Sequence, residues 1–301
     1  MMGLLSGWIE SLDYEYEVLS FCTRQVSPHS KCLKCVESCD KKAISIINDR
    51  PVINHEKCIE CARCISACPV QAIAGIYPKR MIFQDQLVIT DKSVPTAKEL
   101  LIFHNKGIRK IVGETQASIE LWKEVIEEAN VILEQLNELP FLIEIKLIEK
   151  NETLTRRELF SFWKNEGKNF VKQAVPAKWR FNQADLDMQK YYKDYQFSSI
   201  TIDIEKCTLC SACQQLCKKR CFEILDRSFS ISAQGCSDCQ LCVDACPENA
   251  IKIESQISQK QNIIFPIHTK ICNKCCKEFN TLREYDDLCI SCLMQNRFGS
   301  I

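Results

Sequence analysis

The sequence predicts an α+β protein in which two short cysteine-rich modules flank a small α/β region, with a cysteine-knuckle tail after them. Three observations predict it. The 22 cysteines of the 301-residue chain fall into blocks at 22–68, 207–246 and 272–292. The cysteine-free stretch between the first two blocks alternates strand-like and helix-like patterns. Within the first two blocks, two intervals have equal length and the same strand–turn–strand character, so one plan is used twice. With 46% hydrophobic and 26% charged residues, the chain is too apolar to be disordered and long enough for several cores.

In the first block Cys58, Cys61, Cys64 and Cys68 follow C-x2-C-x2-C-x3-C and end in Pro69, preceded by Cys32, Cys35 and Cys39. The second block has that run twice: Cys207, Cys210, Cys213 and Cys217, then Cys236, Cys239, Cys242 and Cys246 before Pro247. Cys39 to Cys58 and Cys217 to Cys236 are both 19 residues apart. Each interval reads as a β-hairpin: Ala43–Ile47, turn 48–50 and Pro51–Ile53 in one, Phe222–Leu225, turn 226–228 and Phe229–Ile231 in the other. The middle of the chain reads as β-α-β-α-β. Its strands are Leu87–Thr90, Ile108–Val112 and Phe141–Ile148, and its helices Thr96–Asn105 and Ile119–Leu136, stopped at Gly107 and Pro140. Lacking a Gly-rich first turn, this region is expected to be a structural or docking module without a cofactor. Thr153–Gln173 reads as a basic amphipathic helix, either a face packed on a domain or an arm for a partner, and 176–199 as a connector. The expected boundaries are 20–80 and 200–256 for the two modules, 81–150 for the α/β region, 151–199 for arm and connector, and 265–301 for the tail.

In the tail, Cys272-x2-Cys275 and Cys289-x2-Cys292 are two knuckles 13 residues apart, the spacing with which a zinc ribbon presents four thiolates tetrahedrally. One zinc ion is the expected occupant, with a hairpin between the knuckles. A single iron on the same thiolates is the alternative, although Cys276 and Leu293 stand where rubredoxins put glycine.

Several classes are excluded. Lys plus Arg and Asp plus Glu both number 39, so no broad polyanion-binding face is implied and a nucleic acid partner is not expected. The 8 glycines form neither a dinucleotide fingerprint nor a P-loop. Met1–Phe21 has the wrong charge and too little apolar length for a signal peptide, no stretch is long enough to span a bilayer, and the Arg156-Arg157 pair lacks the apolar run of an export signal. A cytoplasmic protein is expected, and the thiols are therefore read as metal ligands rather than disulfides. His29, His55, His104 and His268 form no acid–base or nucleophilic set, so no catalytic residue is expected.

On the spacing of these runs and their terminal prolines, the chain resembles the bacterial-type ferredoxins that carry two 4Fe-4S clusters. With two such modules in tandem it is similar to a polyferredoxin. The resemblance implies that the fourth cysteine of each run ligates the neighbouring cluster. It assigns one cluster to Cys207, Cys210, Cys213 and Cys246, and the next to Cys236, Cys239, Cys242 and Cys217. In the first module it assigns Cys58, Cys61, Cys64 and Cys39 to one cluster and Cys32, Cys35 and Cys68 to the other. For that last cluster the pattern puts the remaining ligand three residues before Cys32, where His29 stands. Cys22 is the expected substitute because a thiolate is the better ligand for iron in a sulfide cluster; His29, a three-iron cluster or no cluster are the alternatives. Cys221 occupies the place of Ala43 and is read as a small buried residue beside a cluster.

Four such clusters imply a relay of single electrons, serving a redox partner or a larger oxidoreductase, without a substrate site of its own. Lys31, Lys34, Lys57, Lys206, Lys218, Lys219 and Arg220 would offset the clusters' negative charge. An enzyme with one open iron, and a redox-sensing regulator that uses the zinc ribbon for nucleic-acid or protein contact, are the alternatives.

Overall fold

The computed structural model describes residues 16–75, 77–78, 80–89, 93–146 and 186–298. It divides into two compact units, one of Met1–Cys22 with Leu33–Tyr191 and the other of Thr23–Cys32 with Tyr192–Ile301. The expected helix over Thr153–Gln173 and the first ten residues of the expected connector, 176–185, lie outside the described residues.

The strands of the first unit are β1 (Glu17–Val18), β2 (Ile44–Ile47), β3 (Arg50–Ile53), β4 (Ile73–Ala74), β5 (Met81–Phe83), β6 (Gln86–Val88), β7 (Lys110–Gly113) and β8 (Leu142–Ile145). β2 and β3 form an antiparallel hairpin with Ile47 opposite Arg50. Its two turn residues, Asn48 and Asp49, have φ of 48° and 62°. Positive φ at both central positions matches the right-handed twist of a tight hairpin, and Asn and Asp tolerate it better than most residues. β1 pairs antiparallel with β4, Val18 lying opposite Ile73.

β6, β7 and β8 are parallel neighbours in the order expected of a β-α-β-α-β unit. The helices Ala97–Asn105 and Gln116–Gln135 make the crossovers. Thr96 caps the first by accepting the Glu99 N–H, and Thr115 with Ser118 forms a reciprocal capping box on the second. Leu100, Ile102 and Phe103 from one helix and Trp122, Ile126 and Leu133 from the other are fully buried, together with Leu87 and Ile111 of the sheet. This is where the core of the unit sits. β5 joins as an antiparallel edge on β6. Three residues carry no readable period, so β5 was not predictable from pattern.

A buried charge network ties the residue just before β5 to the first crossover helix. The Arg80 Nε donates to Glu99 Oε1 at 2.8 Å, and its Nη1 donates to the Ser93 carbonyl and Oγ. Its guanidinium stands 5.4 Å from the centre of the Trp122 ring. Arg80 and Glu99 are 3% and 1% exposed, so neither can be paired with water instead.

The second unit contains β9 (Tyr195–Ile202), β10 (Phe222–Ile224), β11 (Ser228–Ser232), β12 (Ile251–Gln259), β13 (Asn262–Pro266), β14 (His268–Ile271) and β15 (Glu278–Thr281). β9 and β12 pair antiparallel from Ile202 opposite Ile251 to Tyr195 opposite Gln259, with a register shift between Ser255 and Ser258. Residues 195–199, expected in a connector, are therefore strand. The alternation was concealed because two of the inward positions, Gln196 and Ser198, are polar yet buried. β13 extends the β10–β11 hairpin into three strands, and Phe229 packs between Phe222 and Phe265.

The tail differs from expectation in one respect. Its hairpin, β14 with β15, encloses the first knuckle instead of lying between the two, with Ile271 opposite Glu278 across the turn that carries Cys272 and Cys275. The second knuckle leads into the helix Ile290–Phe298.

Candidate metal centres

Three of the cysteine loops share a backbone that ordinary side chains avoid. In the loop from Cys58 to Cys64, Glu60 and Ala62 have φ of 53° and 62°. Leu209 and Ser211 have 52° and 64° in the loop from Cys207, and Asp238 and Gln240 have 55° and 59° in the loop from Cys236. Each pair flanks the middle cysteine of its loop. A left-handed residue with a Cβ costs on the order of 1 kcal/mol, so six of them persist only where the surroundings hold them. Left-handed and right-handed residues in succession turn neighbouring N–H groups toward a common concavity, the geometry of an anion-binding nest. Tyr16 braces one loop by donating its hydroxyl to the Glu60 carbonyl at 3.0 Å.

The cysteine that ends each run repeats a second device four times. Ala43 N–H donates to Cys39 Sγ at 3.3 Å, Ala72 to Cys68 at 3.1 Å, Cys221 to Cys217 at 3.4 Å and Ala250 to Cys246 at 3.3 Å. The residue just before each donor, respectively Lys42, Gln71, Arg220 and Asn249, has positive φ, which aims the next N–H back at the sulfur. A backbone donor at a thiolate favours the charged form.

In the second unit Cys207, Cys210, Cys213 and Cys246 line one cavity, walled by Ile202, Leu209, Ile224, Phe229 and Ile251. Burial, then the neighbouring Cys207, pushes the Cys213 thiol up to about 12. Four thiols crowded into apolar surroundings cannot all ionise unless a metal centre shares their charge, so this donor set fits a group with positively charged irons. Cys217, Cys236, Cys239 and Cys242 are also gathered: burial and then Cys239, Cys217 and Cys236 push the Cys242 thiol up. The Cys217 thiol is instead drawn down to about 6, first by the hydrogen bond from the Cys221 side chain. In the first unit Cys39, Cys58, Cys61 and Cys64 line a cavity with Tyr16 and Tyr77. There burial, followed by the other sulfurs, pushes Cys64 up to about 12.

The fourth set is divided. Cys22, Cys35 and Cys68 belong to the first unit and Cys32 to the second. Neither Lys31 nor Leu33, the residues flanking Cys32, has positive φ, so this loop lacks the nest of the other three. The strand pairing at the entry to the two modules is comparable. Ile73 and Ile251 each stand five residues after the last cysteine of their module, and their strand partners are Val18 and Ile202. Cys207 follows Ile202 by five residues and Cys22 follows Val18 by four. Cys22 is buried; His29 is exposed and belongs to the second unit.

In the tail the sulfurs of Cys272, Cys275, Cys289 and Cys292 lie within 4.8 Å of one another, and Cys275 and Cys289 are 3.7 Å apart. A tetrahedron with metal–sulfur bonds of about 2.3 Å needs sulfurs about 3.8 Å apart, so these four residues can hold one metal ion. The Cys289 N–H donates to Cys272 Sγ at 3.3 Å, and this bond, ahead of those from Cys275 and Lys274, draws the Cys272 thiol down to about 6. Cys276 is exposed, with φ of 57° at the place where a glycine would be easiest. His104 is a satisfied core residue, its Nε2 2.8 Å from the Leu139 carbonyl and its ring edge-on to Phe141.

Nested loops, backbone donors on sulfur and crowded buried thiols together define an iron–sulfur protein. Comparison with known proteins reaches the same class. The 4Fe-4S binding domain matches residues 51–74 and 230–252, one loop and its flanking strand in each module. A ferredoxin of Methanothermococcus thermolithotrophicus is 37% identical over 59 residues, 19% of this chain and 98% of that protein. The chain belongs to the 4Fe-4S ferredoxin family, and its role is iron–sulfur electron transfer. No solved structure matches it. Among the described residues, no helix is long and apolar enough to cross a membrane.

Proposed function

We propose that this protein is a tandem, polyferredoxin-like relay in which four 4Fe-4S clusters pass single electrons between a donor and a larger oxidoreductase, in the cytoplasm and without a substrate site of its own. When bound, each cluster supplies one electron site whose potential depends on hydrogen bonds to sulfur, burial and nearby charge. The protein's residues supply the rest. Cys207, Cys210, Cys213 and Cys246 hold one cluster, and Cys236, Cys239, Cys242 and Cys217 its neighbour. Cys58, Cys61, Cys64 and Cys39 hold the third, and Cys22, Cys32, Cys35 and Cys68 the fourth. The tail thiols Cys272, Cys275, Cys289 and Cys292 hold zinc.

The observation that carries this reading is the fourfold backbone donor on the run-ending cysteines, because it treats Cys39 and Cys68 as it treats Cys217 and Cys246. The choice of Cys22 is supported by its burial and by the register of β1. With four cysteines assigned to every cluster, no iron has an open position, which favours a carrier over an enzyme.

The test is anaerobic purification followed by iron and sulfide counting and paramagnetic resonance of the reduced protein. Three to four clusters per chain that reduce and reoxidise reversibly are expected. Fewer than about three, or clusters that cannot be cycled, would overturn the proposal. Zinc, not iron, is expected in the tail by metal analysis.

A further inference from the structure

The tail does not stand apart from the second module. Ile267 and Leu282, which flank its β14–β15 hairpin, are buried in the core that holds Phe229, Ile231 and Ile251, and Cys207 and Leu209 pack against that core. The Ile267 N–H donates to the Arg227 carbonyl at 3.0 Å. Leu293, the residue after Cys292, lines the same cavity as Cys207 and Arg283.

Loop 282–288 of the tail ties the two together. Arg283 Nη1 donates to the Glu205 carbonyl, and the Tyr285 hydroxyl to the Glu205 carboxylate. Glu205 lies two residues before Cys207, in a turn where the N–H groups of Glu205 and Cys207 each donate to Asp203 at 3.0 Å. On the tail side Arg283 is itself fixed: its Nε donates to Asp286 Oδ2 at 2.9 Å, an oxygen that also accepts from the Thr281 hydroxyl. The Arg283 and Asp286 side chains are only 17% and 13% exposed, so water competes little for these charge-assisted bonds.

The knuckles set this loop. It lies within the 13 residues between Cys275 and Cys289. The Asp287 carbonyl accepts the Asn273 N–H at 2.8 Å, and the Cys289 N–H donates to Cys272 Sγ at 3.3 Å. A metal ion shared by Cys275 and Cys289 closes the loop at both ends, which restricts the entropy it would regain when open.

We propose that the tail is a metal-set clamp on the second module: with one metal ion on its four thiolates, loop 282–288 grips the turn before Cys207 and protects the cluster of Cys207, Cys210, Cys213 and Cys246 from loss. Arg283 is the positioning residue of the clamp. The inference rests on the four-cluster reading and on the metal reading of the tail above.

The experiment exposes the full-length, loaded protein to air and follows cluster loss by visible absorbance and paramagnetic resonance, with the tail metal measured beforehand. In Cys292→Ala, which empties the tail, and in Arg283→Ala, which keeps its metal, one cluster is lost about three to ten times faster than in the wild type and the others at the wild-type rate. Arg283→Lys, which keeps a charged donor, recovers part of the difference, and the two alanine substitutions combined are no faster than either alone. In a Cys207→Ala background, which lacks the cluster in question, Arg283→Ala has no effect. A tail-emptied protein that loses its clusters at the wild-type rate overturns the proposal while leaving the four-cluster reading intact. Faster loss of every cluster alike, or a double variant in which the two effects multiply, also overturns it. A wild type without clusters overturns the relay instead.

Discussion

The two cysteine modules share their spacing and differ in what surrounds it. In the second, Cys207 and Cys210 are three residues apart, all ligand loops carry the left-handed pair, and long strands β9 and β12 close the module. In the first, nine residues separate Cys22 from Cys32, the left-handed residues are missing on either side of Cys32, and the closing strands β1 and β4 pair over two residues each. The comparison separates two jobs. The run-ending cysteines and their backbone donors are alike in all four places. The entry is where the modules differ, although Cys22 and Cys207 both follow a strand that pairs with the one after the last cysteine of their module.

The largest expected effect breaks this comparison at its weakest point. Cys22→Ala and Cys207→Ala each cost one cluster, about four irons by chemical analysis, whereas His29→Ala costs none. If His29→Ala loses iron and Cys22→Ala does not, the first module is ligated by imidazole and the register argument is wrong.

Next in size is a stability contrast. The Arg80–Glu99 pair is buried in the first unit, and removing one partner leaves the other charge dry. Glu99→Ala is expected to destabilise the protein by about 3–5 kcal/mol in denaturant unfolding of the loaded protein. The exposed Arg63–Asp40 pair in the same unit is the control, and Asp40→Ala should change stability by less than about 1 kcal/mol.

The smallest effect concerns the tail. Cys272 is held down to about 6, so near neutral pH it presents a thiolate, while burial pushes Cys292 up to about 12 and it must release its proton on binding. Loading therefore releases protons, and apparent metal affinity falls as pH falls, with a further loss once pH drops through about 6 and Cys272 protonates. Competition with a chelator at pH 5.5 and pH 8 measures it; equal affinity at both would show that the thiols are not the ligands.

Much of this was legible before any fold was seen, because iron–sulfur ligation writes itself into short-range spacing. The two β-hairpins were visible because they lie between cysteines 19 residues apart and have turn residues suited to the bend. The α/β region was visible because its parallel strands are short apolar runs and its long helix buries one stripe of apolar residues. β5, β13 and the pairing of β9 with β12 were not, for they are short or place polar residues inward. The Arg80–Glu99 network was also illegible, since nothing in two charged residues 19 apart says that they will be buried together.

The order of residues alone determined which thiols act together as runs, since covalent spacing limits how three sulfurs can surround one inorganic cube. Only the tertiary structure decided where the backbone donors point, the N–H groups of Ala43, Ala72, Cys221 and Ala250 each reaching a run-ending sulfur, and which strands pair at the entry to each module. Those are contacts across hairpins and strand pairs, set by register and burial, and no local pattern encodes them.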